Sequence, residues 1–130
     1  MDSKYNITDN KYERWEYLKD AKKIPRKSKT GFEYIYSEGA VAFSDKLNQP
    51  ARTMLTSEGT VNRSSHVIPD PQTKTLRTIT PVEAERIQGF DDNWTVDMPD
   101  RMRYFCMGNA LMVPMVTRMA QVLDYFIDKE

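Results

Sequence analysis

Arg77-Thr78-Ile79-Thr80-Pro81-Val82-Glu83-Ala84-Glu85-Arg86-Ile87-Gln88-Gly89-Phe90 carries the strongest local signals in this 130-residue chain. Thr80 suits a helix N-cap, Pro81 the first helical position, and Glu83 completes a capping box with Thr80. Gly89 supplies the left-handed residue that stops the helix, and Phe90 can fold back on Ala84. The stretch therefore predicts a short helix over residues 81–88 with both ends specified.

Downstream, residues 91–97 read as a loop rich in Asp and Asn. Pro99 or Asp100 opens another helical stretch to about Met107, and Gly108-Asn109 breaks it. The last helix begins near Met112 with Pro114 in its first turn. Val113, Val116, Ala120, Leu123 and Ile127 recur at spacings of three and four, and Met115, Met119 and Phe126 widen that face. Such a face needs a substantial partner surface, and the rest of the chain offers few candidates.

Upstream, residues 8–23 predict a helix capped by Thr8 or Asp9, with a narrow aromatic stripe through Tyr12 and Trp15 and with Pro25 ending it. Lys22, Lys23, Arg26, Lys27 and Lys29 make a basic run, which reads either as a solvated linker or as a phosphate contact. From Gly31 to Ile68 the pattern turns to short strands: Phe32, Tyr34 and Tyr36 alternate, and residues 40–43, 52–56 and 66–68 follow, punctuated by turn residues. Residues 69–74 read as a loop. The expected organisation is a helix and basic linker over 1–29, a strand-rich region over 30–76 and a helical segment over 77–130, in an α+β fold.

Composition is globular, with 39% hydrophobic and 29% charged residues, and the net charge is zero. Any affinity for nucleic acid must then come from a local patch. No apolar run approaches the roughly 20 residues of a membrane span, so no membrane partner is expected. The single cysteine precludes an internal disulfide, and these features together lead us to expect a cytoplasmic protein.

Self-sufficient chemistry is not legible. One histidine, His66, and one cysteine, Cys106, cannot make a zinc site, so no metal is expected. Cys106 has no activating base beside it and reads as a small buried apolar residue. None of the five glycines is spaced Gly-x-Gly, which removes a dinucleotide fingerprint or phosphate loop. No carboxylate pair stands out, and no catalytic residue is assigned.

Residues 77–90 resemble motif IX of the cytosine-5 DNA methyltransferases, and Tyr104 to Leu111, with Gly108-Asn109-Ala110-Leu111 at its core, resembles motif X of that family. Pro50-Ala51-Arg52-Thr53-Met54 is similar to the Thr-Leu element that closes the family's target-recognition region, and residues 8–18 are similar to the helix ahead of it. Two departures are mild: Asp91 stands where proline is usual, and Met54 where leucine or isoleucine is usual. The resemblance covers nearly the whole chain. It lacks the family's Pro-Cys nucleophile, its Glu-Asn-Val element and its Phe-x-Gly-x-Gly cofactor loop. A cytosine carbon is a poor nucleophile and needs covalent activation, which this chain cannot supply.

The resemblance implies the C-terminal segment of such an enzyme, as found in restriction-modification. It would be the small subunit of a split enzyme or a piece of a longer one, inactive alone, with helices that pack on an absent Rossmann-like catalytic domain. It further implies that Asn109, Ala110 and Leu111 face S-adenosylmethionine, most of whose pocket lies in the complementary catalytic chain or domain. Double-stranded DNA would be the other partner. The DNA-contact candidates are Arg52, Thr53, Ser57, Arg63, Ser64, Ser65 and His66. Thr53 matches the family threonine that touches the backbone near the extruded base, and Arg63 is placed to read a guanine edge. Arg77, Glu83 and Arg86 are implied to be scaffold links. The alternatives are a non-catalytic DNA-binding or regulatory module derived from such an enzyme, and an unrelated small α+β interaction domain.

Overall fold

A computed structural model describes residues 3–129. A 3-10 turn at Ser3–Tyr5 leads into α1 (Asp9–Lys19), β1 (Lys22–Lys27), β2 (Glu33–Glu38), β3 (Val67–Pro69), β4 (Leu76–Thr78), α2 (Pro81–Gln88), α3 (Asp100–Asn109) and α4 (Val113–Ile127). β1 pairs antiparallel with β2, and β3 with β4, as two separate two-stranded sheets. The fold is α+β.

α2 forms as its sequence dictates. The Glu83 N–H donates to Thr80 Oγ1 (3.2 Å), and the Thr80 N–H donates to Glu83 Oε2 (2.7 Å). Gly89 closes the helix at φ +81°. The buried face of α2 meets α3 over a core of Met54, Ile68, Ile79, Ala84, Tyr104 and Met107, with Ile87, Phe90 and Cys106 packed around it. The Tyr104 hydroxyl donates to the Ile79 carbonyl (2.7 Å), so the largest core side chain leaves no buried polar group unsatisfied.

Several local expectations change. α1 stops at Lys19, four residues short of the expected end, and Thr8 donates to Asn10 Oδ1 instead of capping the helix through its side chain. The basic run is no linker: it is strand β1, in register with β2 from Lys22 opposite Glu38 to Lys27 opposite Glu33. Pro25 does not end a helix; it sits inside this strand, where a two-stranded ribbon always has a free edge for the missing N–H. Residues 40–43 and 52–56 form no ladder: the Val41 N–H goes to the Lys19 carbonyl at the end of α1, and the Leu55 carbonyl accepts from the Glu58 N–H in a turn. Of the expected strands, the stretch 32–36 persists as β2 and residues 66–68 persist as β3, shifted by one residue. Its partner β4 falls just beyond the segment expected to be a loop, where three residues are too few to show a period.

The polar interior is dense for so small a chain. Arg77 is 1% exposed. It grips both oxygens of Glu83 (2.8 and 2.7 Å) and reaches Asp70 (3.1 Å). Asp70 in turn accepts from the Thr73 and Gln72 backbone N–H groups, which together with Arg77 hold its carboxyl at about 2. Arg77 and Glu83 are thus scaffold links, as is the exposed pair Arg86–Asp92.

Lys19 is buried beside Trp15 and donates to the carbonyls of Ser65 (2.6 Å) and Arg63 (3.2 Å). Burial, reinforced by the nearby Arg52 charge, draws its pKa from 10.5 down to about 8. Between those values the unfolded chain holds a proton that the folded chain lacks, so stability rises with pH across that window. Tyr104, whose phenol burial holds above its ordinary value of 10, opposes this only at higher pH. Lys19→Met is expected to flatten the rise in urea-unfolding free energy between pH 8 and pH 10. An undiminished rise in the variant would assign it to another group.

Taken as one stretch, Asp100–Ile127 is long and apolar enough to cross a membrane, with a hydropathy of 1.2, which the sequence reading did not anticipate. The backbone is non-helical at residues 110–112, with Ala110 and Met112 extended. α4 alone has 15 residues, about 22 Å of helix, short of a bilayer's roughly 30 Å hydrocarbon core. Its apolar side chains are nevertheless all exposed, among them Met119, Leu123 and Phe126. The face expected to need a partner surface finds none within the described residues.

Candidate functional site

A groove of about 580 Å³ brings the two sets of sequence-predicted residues together. One side is the segment from Gln49 to Met54, which includes Arg52 and Thr53. The other runs from Gly108 through Ala110 and Leu111 to Met115, and Ile87 and Gln88 of α2 form the floor. α2 is the brace between them: the Gln88 side-chain amide donates to the Met107 carbonyl (2.7 Å), tying α2 to the end of α3.

Gly108 explains why these walls lie so close. A Cβ at this position would sit 2.3 Å from the Thr56 nitrogen and 2.4 Å from the Leu55 carbonyl carbon. The close approach the structure contains is between α3 and the chain's own Leu55–Thr56 peptide.

On the α3 side, Asn109 is exposed, and its Nδ2 donates to the Phe105 carbonyl (3.1 Å). That fixes the amide and turns Oδ1 outward as an acceptor. Ala110 is half-buried in the groove wall, and Leu111 is 71% exposed at its rim. Asn109 does not itself line the groove; its exposed amide oxygen is an acceptor next to the Ala110–Leu111 wall, which fits the edge of a site for a nucleoside with amino groups.

The DNA-contact candidates separate into two groups. Thr53 is exposed on the groove. Arg52 lines it, yet its guanidinium is held by both oxygens of Asp45 (2.6 and 3.0 Å) and by the carbonyls of Ser64 and Ser65. Arg63 points inward, donating to the carbonyls of Leu18, Asp20 and Gly39 and pairing with Glu38 (3.5 Å). Ser57 and Ser64 are half-buried in a loop that satisfies itself, through Asn62 in particular. Ser65 is buried, with its hydroxyl donating to the Thr60 carbonyl (2.8 Å). His66 is buried against Glu58, with Nδ1 2.9 Å from Oε2, and its Nε2 has no hydrogen-bond partner among the described residues. In this arrangement Arg63, Ser65 and His66 hold the loop 57–66 in shape, and Thr53 is the candidate left with its side chain outward.

Sequence reasoning missed the acids that organise these residues. Asp45 clamps Arg52 and also accepts from the Val67 N–H (3.0 Å), and Glu58 receives both the His66 ring and the His66 N–H (2.7 Å). Each carboxylate lies seven or eight residues from its side-chain partner, and Asp45 lies 22 residues from Val67, across irregular backbone that no periodicity reveals. Among the described residues, no group of three or more His, Cys, Asp or Glu side chains could hold a metal ion.

Residues 1–124 match the C-5 cytosine-specific DNA methylase family, and the chain belongs to it. It is 48% identical over 124 residues to the type II methyltransferase M.Sau3AI of Staphylococcus aureus, an alignment covering 95% of this chain and 30% of that protein. It is 29% identical over 128 residues to the type II methyltransferase M.DsaV of Dactylococcopsis salina, covering 98% of this chain and 33% of that protein. The chain therefore spans about a third of the length of the curated relatives it matches. No solved structure matches it significantly.

Proposed function

We propose that this chain is the C-terminal part of a DNA (cytosine-5)-methyltransferase, contributing to target recognition and closing the S-adenosylmethionine site. The observation that carries this reading is the shared groove: the Arg52-Thr53 element and the Ala110-Leu111 element face one another across α2. The exposed apolar face of α4 supports it further. A helix with this much uncovered surface fits against a larger body, and the relatives are about three times as long as this chain. The Rossmann-like catalytic part is the occupant we assign to that face.

S-adenosylmethionine supplies the methyl group when bound. Asn109 would hold it through its amide acceptor, and Ala110 and Leu111 would exclude water from that wall. Thr53 donates to the DNA backbone, where it positions the strand without reading sequence. Activation of the cytosine falls to the catalytic part, so this chain alone transfers no methyl group.

Mixing the chain with a complementary catalytic part that carries the Pro-Cys motif is expected to give transfer of labelled methyl groups to duplex DNA, with neither part active alone. Asn109→Ala is expected to weaken S-adenosylmethionine binding to the assembled enzyme about five- to tenfold, the effect of losing one hydrogen bond of roughly 1 kcal/mol. Unchanged cofactor affinity would remove Asn109 from the site. DNA binding without methyl transfer, with every catalytic part tried, would favour a regulatory module instead.

A further inference from the structure

Outside the groove, the densest run of basic residues, Lys22, Lys23, Arg26, Lys27 and Lys29, falls on one element. The ribbon formed by β1, its turn and β2 carries five basic residues against two acids, in a chain whose total is zero. Four arginines of the body are committed: Arg52 to Asp45, Arg77 to Asp70 and Glu83, Arg86 to Asp92 and Arg103 to Glu85. By contrast, Lys23 and Lys29 have no acidic partner among the described residues, and Lys27 meets only the exposed Glu33 at 3.4 Å.

The register divides the ribbon into two faces. Lys22, Ile24 and Tyr36 are half-buried on the face turned toward the body, where Arg26 stacks over Tyr36. Lys23, Pro25 and Lys27 with Glu33, Ile35 and Ser37 form the opposite face, and all six are exposed. The tip is built rather than loose. The Ser28 N–H donates to the Phe32 carbonyl (2.8 Å), the Gly31 N–H to the Ser28 carbonyl (3.0 Å), and the Phe32 N–H to Ser28 Oγ (3.1 Å). A rigid, twisted ribbon of this kind fits a DNA groove, and unpaired lysines are the complement of its phosphates.

We infer that the outer face and tip of the β1–β2 ribbon grip the phosphate backbone of double-stranded DNA through Lys23, Lys27 and Lys29. The inference rests on the DNA-methyltransferase reading and adds a surface distinct from the groove. Lysine acts here as a point charge, so the grip adds affinity without choosing a sequence.

The test uses the assembled methyltransferase that contains this chain, with a specific and an unrelated short duplex, titrated over a range of salt concentrations. Substituting Lys23→Gln, Lys27→Gln and Lys29→Gln together is expected to make the slope of log affinity against log salt shallower by about 2.7, equally for both duplexes, since each phosphate contact contributes about 0.9. Glu33→Lys is expected to steepen the slope by about 0.9, a gain that no misfolded variant would give. S-adenosylmethionine affinity is measured alongside and is expected to be unchanged. Unaltered slopes in both variants, with the parent enzyme binding DNA normally, would overturn the inference and leave the methyltransferase reading intact. A loss of cofactor affinity or of subunit assembly, with unaltered slopes, would place the ribbon against the catalytic part and overturn it too. A parent enzyme that binds neither duplex would overturn both.

Discussion

Glu85→Ala is expected to lower the unfolding free energy by about 3–5 kcal/mol, the cost of breaking a buried ion pair from one side. Glu85 is fully buried in the middle of α2, a place where a carboxylate is tolerated only if every lone pair is used. Its Oε1 accepts from the Thr95 N–H (3.0 Å), the Thr95 hydroxyl and Arg103 Nη2 (2.9 Å), and its Oε2 accepts from the Asn93 N–H (2.8 Å). Burial pushes the carboxyl toward protonation, and the bonds from Thr95 and Arg103 outweigh it, leaving the group ionised below its ordinary range. Removing it strands Arg103, which is 8% exposed, and frees two loop amides at once.

The consequence reaches function through α3. Arg103 stands on the helix that ends in Gly108-Asn109, and the loop after α2 is fixed by its bonds to Glu85, by Arg103 Nε donating to Thr95 Oγ1 (3.1 Å), by the exposed Arg86–Asp92 pair and by its own turns. Urea unfolding followed by the fluorescence of buried Trp15 measures the loss. Glu85→Gln keeps the shape and removes the charge, so it is expected to fall between the parent and alanine. Adding Arg103→Met to Glu85→Ala is expected to restore part of the stability, because the stranded cation is then gone. A shift under 1 kcal/mol for Glu85→Ala would mean that water replaces the carboxylate and that the loop is ordered by other contacts.

How much of this was legible in advance depends on the range of each interaction. α2 was readable to the residue because its caps act over three or four positions: Thr80 with Glu83, and Gly89 with Arg86. α4 was readable because apolar spacing alone marks an amphipathic helix, and its emptiness on one side was readable too. β1 was not readable: KKIPRK has no apolar alternation, since its outer face is fully exposed, and it is a strand only because β2 pairs with it. Residues 40–43 and 52–56 were read as short strands between turn residues. They are shaped instead by half-buried Asp45 and buried Glu58, whose partners lie across loops. The site followed the same division. The motif residues of the groove could be named from local pattern, whereas the inward commitments of Arg63, Ser65 and His66 depend on tertiary contacts with α1, β2 and Glu58.

Gly108→Ala is expected to cost about 3 kcal/mol, the upper end for overpacking, and its sign is the informative part. Gly108 is helical, and in an exposed helix glycine to alanine gains about 1 kcal/mol. Here the added methyl meets the Leu55 and Thr56 backbone at 2.3–2.6 Å, and neither of those groups can rotate aside as a side chain could. The only relief is to move the end of α3 away from the 54–56 segment. That motion separates Thr53 from Ala110 and Leu111, the two walls of the groove. Gly108→Ala in the assembled enzyme is therefore expected to lose cofactor affinity and DNA affinity together, whereas Asn109→Ala, one residue on, loses cofactor affinity alone. Isothermal titration with S-adenosylmethionine and with duplex DNA separates the two patterns. If Gly108→Ala proved neutral or stabilising, helix propensity would have won, the contact with Leu55–Thr56 would be looser than described, and the groove could not owe its width to this glycine.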